Sequence, residues 1–417
     1  MTNHEEKLIF PHHGSLNFPE FVACFLNSMI GTGVLRLGSA FNSGIIFTHI
    51  LNIFIAVISF YSLKLFVLAA SCYHESTFEE VWSVAFTRKL MFIPAICSIL
   101  SSFSNIMSYL GYLQSSLVQI ISYIILLVNK DGQDIIRSME QYSILFGLVI
   151  FIVLCVPASI STDLKFVVIT SFISLAFFFC LLIYVIVRFC VMVSRDGFDP
   201  NHRFKLFDVK DNISSGISSL TYAYLFYPFA WPGLRHARNS TVKGLTNMFA
   251  ATIIIAFILY SIMGTFSYLS FFNENTGGII LDYYPSDTTT NEILLIIGHI
   301  FTFVYILLTV PVVLNPARYI LLNCINKRDS FPTEIWALIG ITLSLISLFL
   351  ANTPDRISDI IFIITDLLTL ILLFIFPPIF YLRGFGTKNK LHFVGAIFEI
   401  LIGLALISFM IYLDCTS

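Results

Sequence analysis

Residues 27–33 of the chain read Asn-Ser-Met-Ile-Gly-Thr-Gly and lie in the middle of its first long apolar stretch. A helix that breaks halfway across a bilayer leaves backbone groups where no water can bind them, at a cost of several kcal/mol each, unless they line a cavity. The segment therefore predicts a broken membrane helix beside a binding cavity. A small-residue pair such as Gly31 and Gly33 can also serve close helix packing alone, and that alternative stays open at this point.

The composition indicates a polytopic membrane protein. Charged residues make up 12% of the 417 residues, about half the share of roughly 25% in soluble domains. Phenylalanine occupies 43 positions, and the mean hydropathy is +0.88. The net charge of -2 favours no nucleic-acid partner. The eight cysteines form no CxxC or Cys/His spacing, so they predict neither a zinc site nor a disulfide framework.

Eleven apolar runs, called spans 1 to 11 below, are each long enough to cross a hydrocarbon core about 30 Å thick. All of them are expected to be α-helices because a helix satisfies its own backbone in lipid. Their predicted bounds are 17–40, 44–72, 93–127, 142–158, 164–193, 212–234, 246–272, 291–323, 333–351, 358–382 and 391–413.

The distribution of Lys and Arg predicts the orientation, because cytoplasmic loops retain positive charge. With the N-terminus inside, about twelve basic residues fall on the cytoplasmic side and about seven outside. Residues 1–16 then form a cytoplasmic tail and residues 194–211 an extracellular loop. Residues 383–417 hold span 11 and an extracellular C-terminus.

A second interruption is expected in span 6. Pro228 and Pro232 each remove a backbone donor there, which disfavours a continuous helix. Many transporters pair a discontinuous helix in one half of the chain with another in the second half. The chain then divides into a first repeat at 17–193, with spans 1–5, a second repeat at 212–382, with spans 6–10, and the additional span 11.

Four segments resemble the amino acid/auxin permease family, and especially its sodium-coupled neutral amino acid transporter branch. Residues 27–35 are similar to the first-helix signature of the family, and residues 222–232 to the aromatic run and two prolines of its sixth helix. Residues 308–318 resemble its Leu-Thr-Val-Pro motif, and residues 374–377 the end of its tenth helix. The resemblance covers about residues 17–385 in the order and spacing of the family.

Some positions depart from the family pattern. Arg36 and Gly38 stand where a small residue and a proline are usual, while Tyr227 and His236 replace a frequent His and Glu. These differences affect the preference for substrate and ion.

The resemblance implies a LeuT-type fold with a 5+5 inverted repeat, in which helices 1 and 6 are discontinuous. Amides at the break would hold the carboxylate of an amino acid, and freed carbonyls would receive its ammonium group. The backbone residues assigned to this role are Ile30, Gly31, Thr32 and Gly33. The side chains expected to shape the pocket are Tyr224, Phe226, Tyr227 and Phe229.

The resemblance also implies an ion site between spans 1 and 8. Asn27 and Thr309 occupy the matching positions, and neutral oxygen ligands suit a hard cation such as Na⁺. A Thr in a membrane helix commonly bonds its own backbone instead. Proton coupling and uniport remain alternatives, with Asp366, Glu399, His299 and His49 as candidates for a proton relay.

Arg36 lies one or two turns past the break, where a charged side chain in a membrane is usually functional. It is predicted to close the outer vestibule by pairing with Asp366 of span 10, as a similarly placed Arg does in bacterial relatives with the LeuT fold.

The function that these features favour is a secondary active transporter of neutral L-amino acids that works by alternating access, with sodium as the coupling ion and no cofactor. The alternatives are a proton-coupled transporter of the same family and a non-transporting amino acid sensor. No enzyme is expected, because the polar residues within the spans are dispersed. The expected partners are the amino acid and the lipid bilayer, in either a plasma membrane or a vacuolar or lysosomal membrane.

N-glycosylation tests the predicted orientation. The sequon at Asn239 is expected to face the cytosol and to stay unmodified, while the sequon at Asn212 faces outward close to the membrane. Glycopeptide mapping of protein from eukaryotic cells checks this, with Asn212→Gln and Asn239→Gln as controls. A glycan on Asn239 would overturn the orientation.

Overall fold

Span 1 is broken at the predicted place. A helix runs over Phe18–Met29, a second segment runs over Thr32–Ser43, and the two are bent by 55°. Ile30 and Gly31 leave helical geometry, with φ/ψ of −78°/85° and −107°/−160°. The predicted discontinuity of this helix is therefore confirmed.

The computed structural model describes residues 9, 14–129, 133–161, 164–197, 205–207, 213–224, 233–272, 278–286, 288–325 and 332–416. Within these ranges all regular elements are helical, apart from one isolated bridge between Leu16 and Ala237. The protein is thus all-α in the part that the structure describes, as predicted.

Nine further apolar helices match predicted spans 2–5 and 7–11. Their bounds are Ile45–Tyr73, Arg88–Val128, Ser143–Ile160, Leu164–Arg195, Val242–Phe271, Thr289–Cys324, Thr333–Ala351, Arg356–Phe385 and Lys390–Tyr412. Span 6 is described in part: a helix covers Ile213–Ala223. The predicted break in span 6 falls on residues 225–232, which lie outside the described residues.

Two spans contain a wider, π-helical turn ahead of a proline. The π turns cover Phe151–Cys155 in span 4 and Ile371–Ile375 in span 10. Pro157 and Pro377 follow two residues after each turn. Because proline has no N–H and its ring crowds the preceding turn, the backbone widens there instead of closing a regular α-turn.

The break in span 1 lies at the centre of the helix packing. The first half of span 1 packs against spans 5, 7 and 8, and its second half against spans 6 and 7. Span 8 packs most extensively against spans 3 and 5. The break is therefore surrounded by helices on most sides, which lets neighbouring side chains reach its backbone.

The face that carries the N-terminus, called the N-terminal face below, is held together by backbone pairing. The Leu16 amide donates to the His236 carbonyl, and the Arg238 amide donates to the Leu16 carbonyl, both at 2.9 Å. The Ile9 amide donates to the Ser240 carbonyl, also at 2.9 Å. The segment that leads into span 1 is thus bound to the linker that leads into span 7.

The contact between spans 1 and 7 depends on Gly264. A Cβ atom there would lie 2.1 Å from the ring of Phe41. Gly264→Ala is therefore expected to destabilise the protein by about 1–3 kcal/mol through overpacking. The midpoint of thermal denaturation in detergent measures the effect.

Gly111→Ala is the matched control, because its added Cβ would meet Ala351 at an ordinary 3.5 Å. Equal denaturation midpoints for the two variants would contradict this packing.

Candidate functional site

A cavity of about 460 Å³ lies beside the break in span 1. Spans 1, 3, 6 and 10 contribute its walls, and Thr32 and Gly33 line it directly. Tyr222 of span 6 forms part of its wall. As the first residues of a helical segment, Thr32 and Gly33 have amides without an intrahelical acceptor. The cavity is therefore placed where the backbone has free donors.

Aromatic residues approach the break so closely that only glycine fits. A Cβ on Gly31 would lie 2.4 Å from the hydroxyl of Tyr109, and a Cβ on Gly33 would lie 2.8 Å from the ring of Tyr222. Tyr305 donates a hydrogen bond to the Gly31 carbonyl at 3.0 Å. The two glycines thus allow the aromatic side chains to approach closely, and the Gly31 carbonyl accepts the Tyr305 hydroxyl in addition to the Val34 amide at 3.3 Å.

Span 3 holds the second half of the break in place. The hydroxyls of Thr32 and Ser108 lie 2.8 Å apart, and Tyr222 donates to the Asn105 side chain at 2.5 Å. Span 3 thereby links the second half of span 1 to span 6.

Tyr224 is the one predicted pocket side chain that the structure describes, and it is placed differently from the expectation. Tyr224 is fully buried, donates to Asn52 of span 2 at 2.7 Å, and packs edge-to-face on Tyr260 of span 7. It lies away from the cavity, and Tyr222 lines the cavity instead. Residues two apart on a helix are rotated by roughly 200°, so the two tyrosines face opposite sides. Phe226, Tyr227 and Phe229 lie outside the described residues.

A buried polar cluster lies beside the break. The Asn27 side-chain oxygen accepts hydrogen bonds from Ser174 at 2.7 Å and from Thr309 at 3.0 Å. The hydroxyls of Ser174 and Thr309 are 3.0 Å apart, and both lie 2.8 Å from the Tyr305 carbonyl. The Asn27 amide nitrogen donates to Ser171 at 3.3 Å. Spans 1, 5 and 8 therefore bring neutral oxygens to one point.

The sequence left two roles open for Thr309: contact with Asn27 in an ion site, or a hydrogen bond to the backbone of its own helix. The structure shows both contacts, since Thr309 lies within hydrogen-bond distance of the Asn27 side chain and of the Tyr305 carbonyl. Sequence reasoning missed Ser174, although Ser171 and Ser174 stand three residues apart on one face of an otherwise apolar span. Tyr305 joins the cluster to the break, because its carbonyl belongs to the cluster while its hydroxyl binds the Gly31 carbonyl.

The predicted gate residues share the cavity. Arg36 and Asp366 both line it, and Ser218 of span 6 donates to the Asp366 carboxylate at 3.3 Å. Asp359 lies two turns earlier on span 10 and lines the same cavity. Their pairing as a gate stays a prediction.

The other candidates for a proton relay lie apart from this cavity. The His49 ring lies 3.2 Å from the Thr265 hydroxyl, and His299 stacks on Tyr123 with ring centres 5.9 Å apart. Glu399 of span 11 is buried, with 2% of its surface exposed. None of the three lines the cavity described here.

The fold is that of the LeuT-type membrane transporters, as predicted. It is similar to a solved structure described as the crystal structure of MhsT in complex with L-phenylalanine. The TM-score is 0.65 at 13% sequence identity, over 96% of this chain and 99% of that one. At this identity the likeness establishes the fold alone.

The family model described as transmembrane amino acid transporter protein matches residues 14–413. The chain therefore belongs to this family of transmembrane amino acid transporters. The resemblance found in the four sequence segments is confirmed at the level of the family.

Gly31→Ala is expected to reduce amino acid uptake at least tenfold, because its new methyl group would collide with the Tyr109 hydroxyl. The backbone of Gly31 is extended and admits alanine, so the effect is steric. Tyr109→Phe removes the colliding atom and is expected to restore part of the uptake in the double variant. Initial uptake rates at equal surface expression measure this, and a double variant as inactive as Gly31→Ala would contradict the steric account.

Proposed function

We propose that the protein is a secondary active transporter of neutral L-amino acids that works by alternating access and is driven by sodium. The observation that carries the proposal is the interrupted span 1, whose helix start opens on a cavity at Thr32 and Gly33. Non-helical backbone at membrane depth is tolerated where it is buried in protein or lines a cavity, and many transporters bind their substrate at such a break.

Backbone groups at the break are suited to bind the carboxylate and ammonium groups that all amino acids share. The start of the second segment of span 1 carries a partial positive charge of about +0.5 and would hold a carboxylate. Carbonyls at the end of the Phe18–Met29 helix carry the opposite partial charge and would receive the ammonium group. Both ends of a zwitterion are then bound without charged side chains.

The wall nearest the break favours a neutral side chain. Tyr222, Ser108 and Thr32 are uncharged there, and the charged residues of the same cavity, Arg36, Asp359 and Asp366, include both signs. The related fold described with L-phenylalanine shows that a neutral amino acid binds that protein. Both observations support a neutral substrate for this chain.

The cluster of Asn27, Ser174 and Thr309 is the proposed sodium site. An amide oxygen, two hydroxyls and the Tyr305 carbonyl offer hard, neutral ligands, which Na⁺ prefers. A tenfold sodium gradient supplies about 1.4 kcal/mol and a potential near 70 mV about 1.6 kcal/mol more. One ion could therefore support roughly hundredfold accumulation of a neutral substrate.

The arrangement of the two faces supports alternating access. The cavity lies on the far side of the break, between the second half of span 1 and the start of span 10. The backbone pairs of Ile9 and Leu16 hold the N-terminal face together and would keep it closed while the cavity is open. Pairing of Arg36 with Asp366 would close the cavity when the opposite face opens.

Uptake into proteoliposomes tests the proposed function. A panel of labelled amino acids is offered with a sodium gradient alone and with a proton gradient alone. Accumulation of neutral amino acids under the sodium gradient is expected. Accumulation under the proton gradient alone would favour the proton-coupled alternative, and binding without flux would favour a sensor.

Thr309→Ala and Ser174→Ala are each expected to raise the sodium concentration for half-maximal uptake about tenfold, since one ligand to a charged group is lost. Thr309→Ser keeps the hydroxyl and should behave nearly as the wild type does. Thr302→Ala is the matched control, because that buried hydroxyl donates to the Gly298 carbonyl within span 8. Unchanged sodium dependence in Thr309→Ala would rule out the proposed ion site.

A further inference from the structure

A short helix at Phe78–Ala85, called the loop helix, joins spans 2 and 3 on the N-terminal face. Phe78 anchors it by packing against Phe66 of span 2 and Phe380 of span 10, with ring centres 4.5 and 5.7 Å apart. The Thr77 hydroxyl accepts the Glu80 amide and caps its start. The loop helix thus lies docked against the ends of several spans.

Two adjacent carboxyl groups of the loop helix face the end of span 8. Glu80 accepts a hydrogen bond from Asn323 at 3.0 Å and one from Tyr319 at 3.5 Å. Glu79 is completely buried, and neither of its carboxyl oxygens has a hydrogen-bond partner among the described residues. The pair therefore combines one well-bound carboxylate with one unpartnered acid.

Burial raises the pKa of Glu79 from 4.5 to about 7, and the adjacent Glu80 carboxylate adds to the rise. The polar groups of its own backbone, Thr77 and Asn323 lie near the carboxyl and offset part of this rise in the pKa, although none of them has the geometry of a hydrogen bond to it. A buried carboxylate without a partner is costly, so the docked position favours the neutral acid.

Charged and titratable groups also lie on the elements around the loop helix, including Arg88 and Lys89 on the short turn that follows it. Tyr319 and Cys324 of span 8 lie next to it, and Arg235 donates to Tyr319 at 2.9 Å. Arg383 of span 10 donates to the Ala85 carbonyl, and the His74 ring at the end of span 2 lies 3.2 Å from the Ile9 carbonyl. Glu80 supplies the charge that acts on Glu79.

We propose that Glu79 is a proton-binding site whose occupancy sets how firmly the loop helix holds the end of span 8, and thereby how readily the N-terminal face opens. With Glu79 neutral, the loop helix stays docked. Loss of the proton leaves two adjacent carboxylates in a buried place, and undocking lets water reach both. The effect on flux rests on the proposed transport function, whereas the effect on docking does not.

The difference between the pKa of Glu79 in the docked and undocked positions determines the direction and the size of the effect of pH on docking. The pKa of Glu79 is higher in the docked position than in water, so docking is strongest at low pH and weakens as pH rises through about 7. The ratio of undocked to docked molecules increases about tenfold per pH unit between pH 4.5 and about 7, and it levels off above that pH because both forms have then lost the proton.

Hydrogen–deuterium exchange of residues 78–85 between about pH 4 and pH 8, corrected for the intrinsic exchange rate, tests the proposal on the full chain, because this range brackets both pKa values of Glu79. In the wild type, protection is expected to fall as pH rises from 4.5 to about 7 and to stay constant above that pH. Glu79→Gln, which mimics the neutral acid, should stay protected throughout. Glu334→Gln, at an exposed carboxyl at the start of span 9, is the matched control and should follow the wild type.

Glu79→Met gives a second neutral side chain should the Gln variant fail to fold. Flat protection in the wild type, or an unchanged pH response in both neutral variants, would overturn the proposal. Uptake at clamped internal pH adds the effect on transport. A protein that moves no amino acid at all would refute the proposed function, and the exchange result would still decide the role of Glu79.

Discussion

The need to satisfy backbone groups inside a bilayer is the constraint on which the rest of the structure depends. At the break in span 1 the regular helical pattern stops for Ile30 and Gly31. The Gly31 carbonyl accepts the Tyr305 hydroxyl as well as the Val34 amide, and the start of the next segment opens on a cavity. A break without these two arrangements would cost several kcal/mol for each bare group.

That constraint also accounts for the residues around the break. Tyr109 and Tyr222 approach so closely that glycine is required opposite each of them. Hydroxyl groups on spans 3, 5 and 8 lie around the segment, and two of them bind the side-chain amide of Asn27 on span 1. Tyr305 contacts both the polar cluster and the break. A change in the cluster can therefore shift the backbone that would bind the substrate.

The sequence predicted the features that follow from apolar length and from helix-breaking residues. The break at Gly31 and ten of the spans are found as expected, because run length and glycine placement act locally. The family motifs pointed to Asn27 and Thr309, whose side chains lie 3.0 Å apart. Their role as ion ligands stays a prediction.

Features that depend on how a helix is rotated about its axis could not be predicted from the sequence. An aromatic run does not reveal whether Tyr222 or Tyr224 faces the cavity, because both positions are apolar and lie near other helices. Ser174 is a candidate ion ligand only because spans 5 and 8 pack together, and Glu79 is a candidate proton-binding site only because the loop helix is buried against span 8.

The most direct test of the central claim is an experimental structure of the protein in a lipid nanodisc with a saturating neutral L-amino acid. The account predicts a ligand whose carboxylate lies within about 3 Å of the amides of Thr32 or Gly33, the distance of a charge-assisted hydrogen bond. A ligand bound elsewhere, or a regular helix through residues 29–33 in that structure, would contradict it.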